Sequence, residues 1–155
     1  MRKHLFHRVS GTRASVGLLL FRVLMGSAFV LHGWGKVQTP FSWMPGDTIP
    51  GFLQAAAAFS EFGGGIALIL GVLTPVASAL LAVTMFEAVR FHFGLGHPFV
   101  SAGGASFELP AAYFVGAVML LLTGPGRFSL DAVLFGEAKP HPALVNERFV
   151  GTVTT

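Results

Sequence analysis

Polarity changes slowly along this chain, in long runs where almost every residue is apolar, separated by short stretches dense in Gly, Pro and polar residues. Four such runs stand out, at 14–34, 53–73, 76–93 and 106–123. As helices of about 20 residues, each approaches the roughly 30 Å of a bilayer's hydrocarbon core. The pattern therefore predicts an all-α fold: an integral membrane four-helix bundle, up-down-up-down, occupying 14–135. A basic cytoplasmic N-terminus (1–13) precedes it and a polar C-terminal tail (136–155) follows it.

The connections are equally readable. Between the first two runs lie Pro40, Pro45, Gly46, Asp47, Pro50 and Gly51, a turn-rich loop whose Phe41 and Trp43, with Trp34 before it, suit an aromatic belt at the membrane–water interface. Thr74-Pro75 allows only a tight turn, so the second and third helices should form an antiparallel hairpin. A glycine-rich stretch, Gly94 to Ala105, returns the chain. Pro110 is tolerated in a first helical turn, which starts the fourth helix near Ser106, and Gly124-Pro125-Gly126 stops it. LHGWG (31–35) echoes FHFGLG (91–96), and GIALILGVLTP (65–75) echoes GAVMLLLTGPG (116–126); a two-plus-two repeat and chance similarity of short apolar strings both account for this.

Composition agrees with a membrane reading: the chain is 53% hydrophobic and 11% charged, with a mean hydropathy of +0.70, whereas soluble domains are about 25% charged. The formal net charge is +3, but this does not point to nucleic acid, because Arg2, Lys3, Arg8 and Arg13 sit where topology-setting charges belong. Arg127, Lys139 and Arg148 follow the last run, against Lys36 and Arg90 on the other side, which places both termini in the cytoplasm. The basic start resembles a signal peptide, yet Arg22 interrupts its apolar run and no small-x-small cleavage site is evident, so a retained first helix is expected. With no cysteine, the chain has no disulfide, dithiol, c-type haem attachment or cysteine-held iron–sulfur cluster.

Charges inside the runs carry the candidate chemistry. A charge at the bilayer centre costs about 2.5–3.5 kcal/mol, so such residues normally face inward and find partners. Counting depth at 1.5 Å per residue puts Arg22 roughly 12 Å in, and Glu61 and Glu87 both at roughly 18 Å. The expected cluster is Arg22, Glu61 and Glu87, with the two carboxylates exchanging protons. One arginine cannot neutralise both, so the second carboxylate should hold a proton or pair with Arg90, three residues beyond Glu87. The competing reading is a buried ion-pair network that only holds the bundle together.

A second group, His32, Lys36, His92 and Glu108, gathers near the outer surface, as ligand contacts or as residues solvated at headgroup level. Histidines and carboxylates are metal ligands and two histidines hold haem, but no HxxxH or ExxH spacing occurs within the runs, so no metal site is assigned. Gly63-Gly64-Gly65 follows no strand and precedes no lysine, which favours helix packing over phosphate binding. In GPGRFSLD (124–131), Arg127 and Asp131 are four apart and could form a surface clamp.

Together LLLFRVLMGSAFVLHGWGK (18–36), EFGGGIALILGVLTP (61–75) and GPGRFSLD (124–131) resemble the DoxX family of small four-helix membrane proteins over about residues 15–135. The family pattern falls on Arg22, His32, Gly33, Lys36, Glu61, Gly64, Gly71, Gly124, Gly126 and Asp131. The resemblance implies a prokaryotic cytoplasmic membrane and a link to redox chemistry, through subunits and membrane anchors of oxidoreductase systems. The expected function is a membrane subunit that binds a quinone or similar small molecule in a polar intramembrane chamber, in contact with membrane lipid and a soluble oxidoreductase partner. A non-catalytic anchor for such an enzyme and a small proton-coupled transporter, which four helices would favour as a homo-oligomer, are the alternatives.

Overall fold

A computed structural model describes residues 11–46 and 49–135. The basic residues Arg2, Lys3 and Arg8, Asp47 of the loop, and the tail with Lys139 and Arg148 lie outside the described residues. The elements are α1 (Thr12–Gln38), α2 (Gly51–Leu70), α3 (Thr74–Gly94), α4 (Glu108–Thr123) and a short α5 (Leu130–Leu134), and among the described residues there is no strand. The first three are long and apolar enough to cross a membrane, while α4, at 16 residues, is shorter. It begins two residues later than expected: the Glu108 amide donates to the Phe99 carbonyl.

Which side of each helix faces inward is not decided by hydrophobicity. Buried positions on α1 include Ser15, Gly26 and Gly33; on α2, Ala55, Ala58, Ser60, Gly64 and Gly65; on α3, Ala77 and Ser78. Large apolar side chains such as Leu20, Leu24, Leu31, Phe59, Val83 and Leu122 point outward. In lipid an outward leucine loses nothing relative to an inward one, so helices associate where small residues let backbones approach. Gly26 and Gly65 are the plainest case: a Cβ on either would sit 2.6–2.7 Å from the other's carbonyl oxygen. The remaining core is a compact set including Met25, Phe29, Leu68, Leu81, Met85 and Leu120.

At one end, α2 closes on Gly71 with φ +66°, its amide bonded to the Leu68 carbonyl and that of Val72 to the Ala67 carbonyl, a Schellman closure. Leu73 also has positive φ, and Pro75 occupies the first turn of α3. At the other end, Gln54 ties the 39–50 loop down: its amide oxygen accepts from the Met44 amide and its nitrogen donates to the Ile49 carbonyl, while Trp43 Nε1 donates to the Gln54 carbonyl.

Candidate functional site

The expected cluster of Arg22, Glu61 and Glu87 does not form. The three charges lie in three different places, each with its own partners, because depth along a helix says nothing about which face a residue occupies.

Glu61 is drawn to the loop end. Gly33 has no Cβ, and one placed there would lie 2.6 Å from the Phe62 nitrogen, so α1 and α2 touch backbone to backbone at this level. Lys36, one turn beyond Gly33, is thereby brought over Glu61. Lys36 Nζ donates to both Glu61 oxygens at 2.6 Å, the carboxylate being 4% exposed and the lysine 26%. The ammonium also lies 4.6 Å from the Trp43 ring centre, a cation–π contact that strengthens as water is excluded. Trp34 and Phe62 pack beside the pair with ring centres 5.7 Å apart. The result is a charged pair with its anion sealed in protein and its cation reaching the surface. The same loop forms an open pocket of about 390 Å³, lined among others by Phe41, Met44, Ile49, Pro50 and Gln54 and not by the pair itself.

Arg22 belongs to the other end. It is fully buried, and its Nη2 donates to the Phe128 carbonyl. A Cβ on Gly71 would overlap Arg22 Nη1 and lie 2.6 Å from Ser129 Cβ, so only glycine leaves room for the guanidinium. Asp131 fills the same end. Its two oxygens accept from the Leu73 and Thr74 amides at 2.7 and 2.8 Å, and its own amide donates to the Gly71 carbonyl. The surface clamp between Arg127 and Asp131 is thus corrected: Asp131 is 2% exposed and caps α3, while Arg127 reaches α1 through Ser15 and Thr12. Capping wins because the N-cap position before α3 is Leu73, which has no side-chain acceptor for the free amides. That missing cap was the sequence signal for the role of Asp131.

Glu87 faces out of the bundle and pairs with Arg90 at 3.1 Å, as the alternative in the sequence reading allowed; both side chains are more than half exposed. The outer group is not gathered either. His32 meets the edge of Tyr113 with ring centres 6.3 Å apart. His92 Nδ1 lies 2.8 Å from Nδ1 of His97, a partner the sequence reading missed although the two are five apart across a helix end. The Glu108 carboxylate makes no hydrogen bond or ion pair among the described residues. Of this group only Lys36 joins a carboxylate.

The two ends coincide with the segments that resemble DoxX proteins, and the DoxX family model matches residues 17–94. The chain belongs to the DoxX family. It is 32% identical over 124 residues to the inner membrane protein YqjF of Escherichia coli, covering 77% of this chain and 92% of that protein. It is 29% identical over 123 residues to the putative oxidoreductase CatD of Bacillus subtilis, covering 77% and 88%. An uncharacterized membrane protein of Mycobacterium tuberculosis is 28% identical over 136 residues. No solved structure matches. The chain is a multi-pass DoxX membrane protein with transmembrane helices.

Proposed function

We propose that this DoxX protein is a membrane subunit of an oxidoreductase system in a prokaryotic inner membrane, binding a quinone or similar small molecule against the Lys36–Glu61 pair. The observation that carries this reading is the pair itself: a buried carboxylate held at 2.6 Å by a partly exposed lysine, against Trp43 and beside Trp34 and Phe62. Lys36 has donors to offer a ring carbonyl, and Glu61 is the base that takes or returns a hydroxyl proton. Electrons come from a partner enzyme, since this chain has no redox-active cysteine. The names of its relatives, an inner membrane protein and a putative oxidoreductase, support the location and the chemistry. Glu87 is left out of the exchange site because it faces outward.

The same proposal includes the topology. The 14–135 domain is a four-helix bundle, up-down-up-down, with a basic N-terminus (1–13) and a polar tail (136–155) both cytoplasmic. In support, contacts run in reverse order along successive helices: Gly26 meets Gly65 and Gly33 meets Phe62; Ser60 bonds Thr84 and Gly64 meets Leu81; Phe93 packs on Phe107 and Phe86 on Phe114.

Quinone analogues added to the purified protein should raise its melting temperature, and Glu61→Gln should remove that rise. An unchanged melting temperature with wild-type protein, together with no co-extracted quinone, would sink the binding reading. The second reading, a non-catalytic anchor for a soluble oxidoreductase, is favoured by the Arg22–Asp131 end, where the buried charges serve packing and capping. A co-purifying enzyme whose activity is indifferent to Glu61→Gln would select it.

A further inference from the structure

Glu87 and Arg90 pose a separate problem. The 21 residues of α3 span about 31 Å, so Glu87 lies roughly 10 Å inside the end of a bilayer-length helix, too far for a short carboxylate to reach water easily. Yet both side chains point away from the protein, 59% and 65% exposed. The exposed positions of α3 include Val76, Leu80, Val83, Glu87, Arg90 and Gly94, alternately four and three residues apart; Phe86 and Phe93 are exposed beside this line, where they pack on Phe114 and Phe107. That spacing is the seam of a left-handed helix pair, and among the described residues outside its own helix turn nothing lies within 4 Å of a Cβ placed at Gly94.

We propose that this seam is an interface between two copies of this chain, packed α3 against α3 about a two-fold axis along the membrane normal. The charges choose the occupant. On a 3–4 seam a side chain packs against the facing helix's residues one layer on as well as its own counterpart, so Glu87 of one copy reaches Arg90 of the other, and the two-fold axis makes that contact twice. The result is an alternating four-charge ring with no net charge, removed from lipid. A lipid-facing surface leaves the pair in hydrocarbon, and a different membrane partner must bring its own matching pair, whereas a second copy carries the complement already. Val83, Leu80 and Val76 supply the apolar layers below the ring.

The chain has no cysteine, so single thiols report without background. The test uses the full chain in native membranes with a short bifunctional thiol reagent. Val83→Cys on the seam should give an adduct of twice the chain mass, and Leu122→Cys, on the outward face of α4, should give only background. In the Val83→Cys chain, Glu87→Arg or Arg90→Glu should each cut the adduct at least tenfold, and both together should restore it. Native mass spectrometry of the wild-type protein should show a dimer. Equal cross-linking at Leu122→Cys, an adduct of any other mass, indifference to either single reversal, a folded double variant without adduct, or a wild-type monomer would each overturn the interface.

Discussion

The two ends of the bundle both bury charge, and they are built on opposite principles. At the turn end, Arg22 is enclosed by backbone: a carbonyl accepts from it, Gly71 makes room for it, and Asp131 spends its oxygens on the α3 amides rather than on a direct ion pair with the guanidinium. At the loop end, Glu61 and Lys36 satisfy each other through side chains alone, and the lysine remains partly open. Backbone partners cannot be exchanged without moving a helix. A side-chain partner can swing aside for a ligand. The difference separates a lock from a site although each end is built on one basic and one acidic residue.

The turn end should break hardest. Gly71→Ala forces a left-handed backbone onto alanine and drives a methyl group into Arg22 and Ser129; a loss of about 3 kcal/mol or more is expected, seen as loss of folded protein or a collapsed melting temperature in detergent. Wild-type melting would mean that the end is slack rather than locked.

Next in size, Lys36→Met leaves the buried Glu61 carboxylate unpaired and should cost about 3 kcal/mol. Adding Glu61→Gln should recover part of that loss, giving a coupling energy of about 1–3 kcal/mol in a thermal-melt double-mutant cycle. The equivalent cycle on Arg22 and Asp131 should show weaker coupling, because no hydrogen bond joins the two: the Asp131 oxygens go to the Leu73 and Thr74 amides, and the guanidinium donates to the Phe128 carbonyl. Equal couplings at the two ends would erase the distinction drawn between them.

Asp131→Ala frees two amides at the start of α3 and should cost about 2 kcal/mol, while Asp131→Asn, which keeps one acceptor, should cost about half as much by the same melts. Identical losses would argue that charge rather than capping matters there. Smallest of all, Leu122→Ala, on a side chain 80% exposed, should stay within about 0.5 kcal/mol, since lipid replaces what the leucine touched.

Much of the architecture was legible along the chain. The apolar runs located the helices within a few residues, Gly124 and Gly126 marked the stop of the fourth, and the glycines of the second announced close packing, whereas the closure at Gly71 falls three residues before the expected turn at Thr74-Pro75. The pairing of Arg90 with Glu87 followed from a three-residue spacing. The candidate site was only half legible. Glu61 and Lys36 were both singled out but assigned to different groups, and Arg22 was joined to carboxylates it never meets. The His92–His97 contact and the capping by Asp131 were missed for the same reason: each depends on how the backbone turns beyond a helix end.

The sequence by itself determined that this is a helical membrane protein, where its helices begin and end, and which residues carry charge into the apolar runs, because hydrophobic length and turn residues act locally. Which charge meets which was decided only by the tertiary structure. In helices apolar on every side, hydrophobicity does not select the inward face. That choice falls to the places where Gly26 meets Gly65 and Gly33 meets Phe62, which set the rotation that puts Lys36 on Glu61 and Arg22 beside Gly71, and to the packing of Gly64 on Leu81 and Ser60 on Thr84, which leaves Glu87 outside.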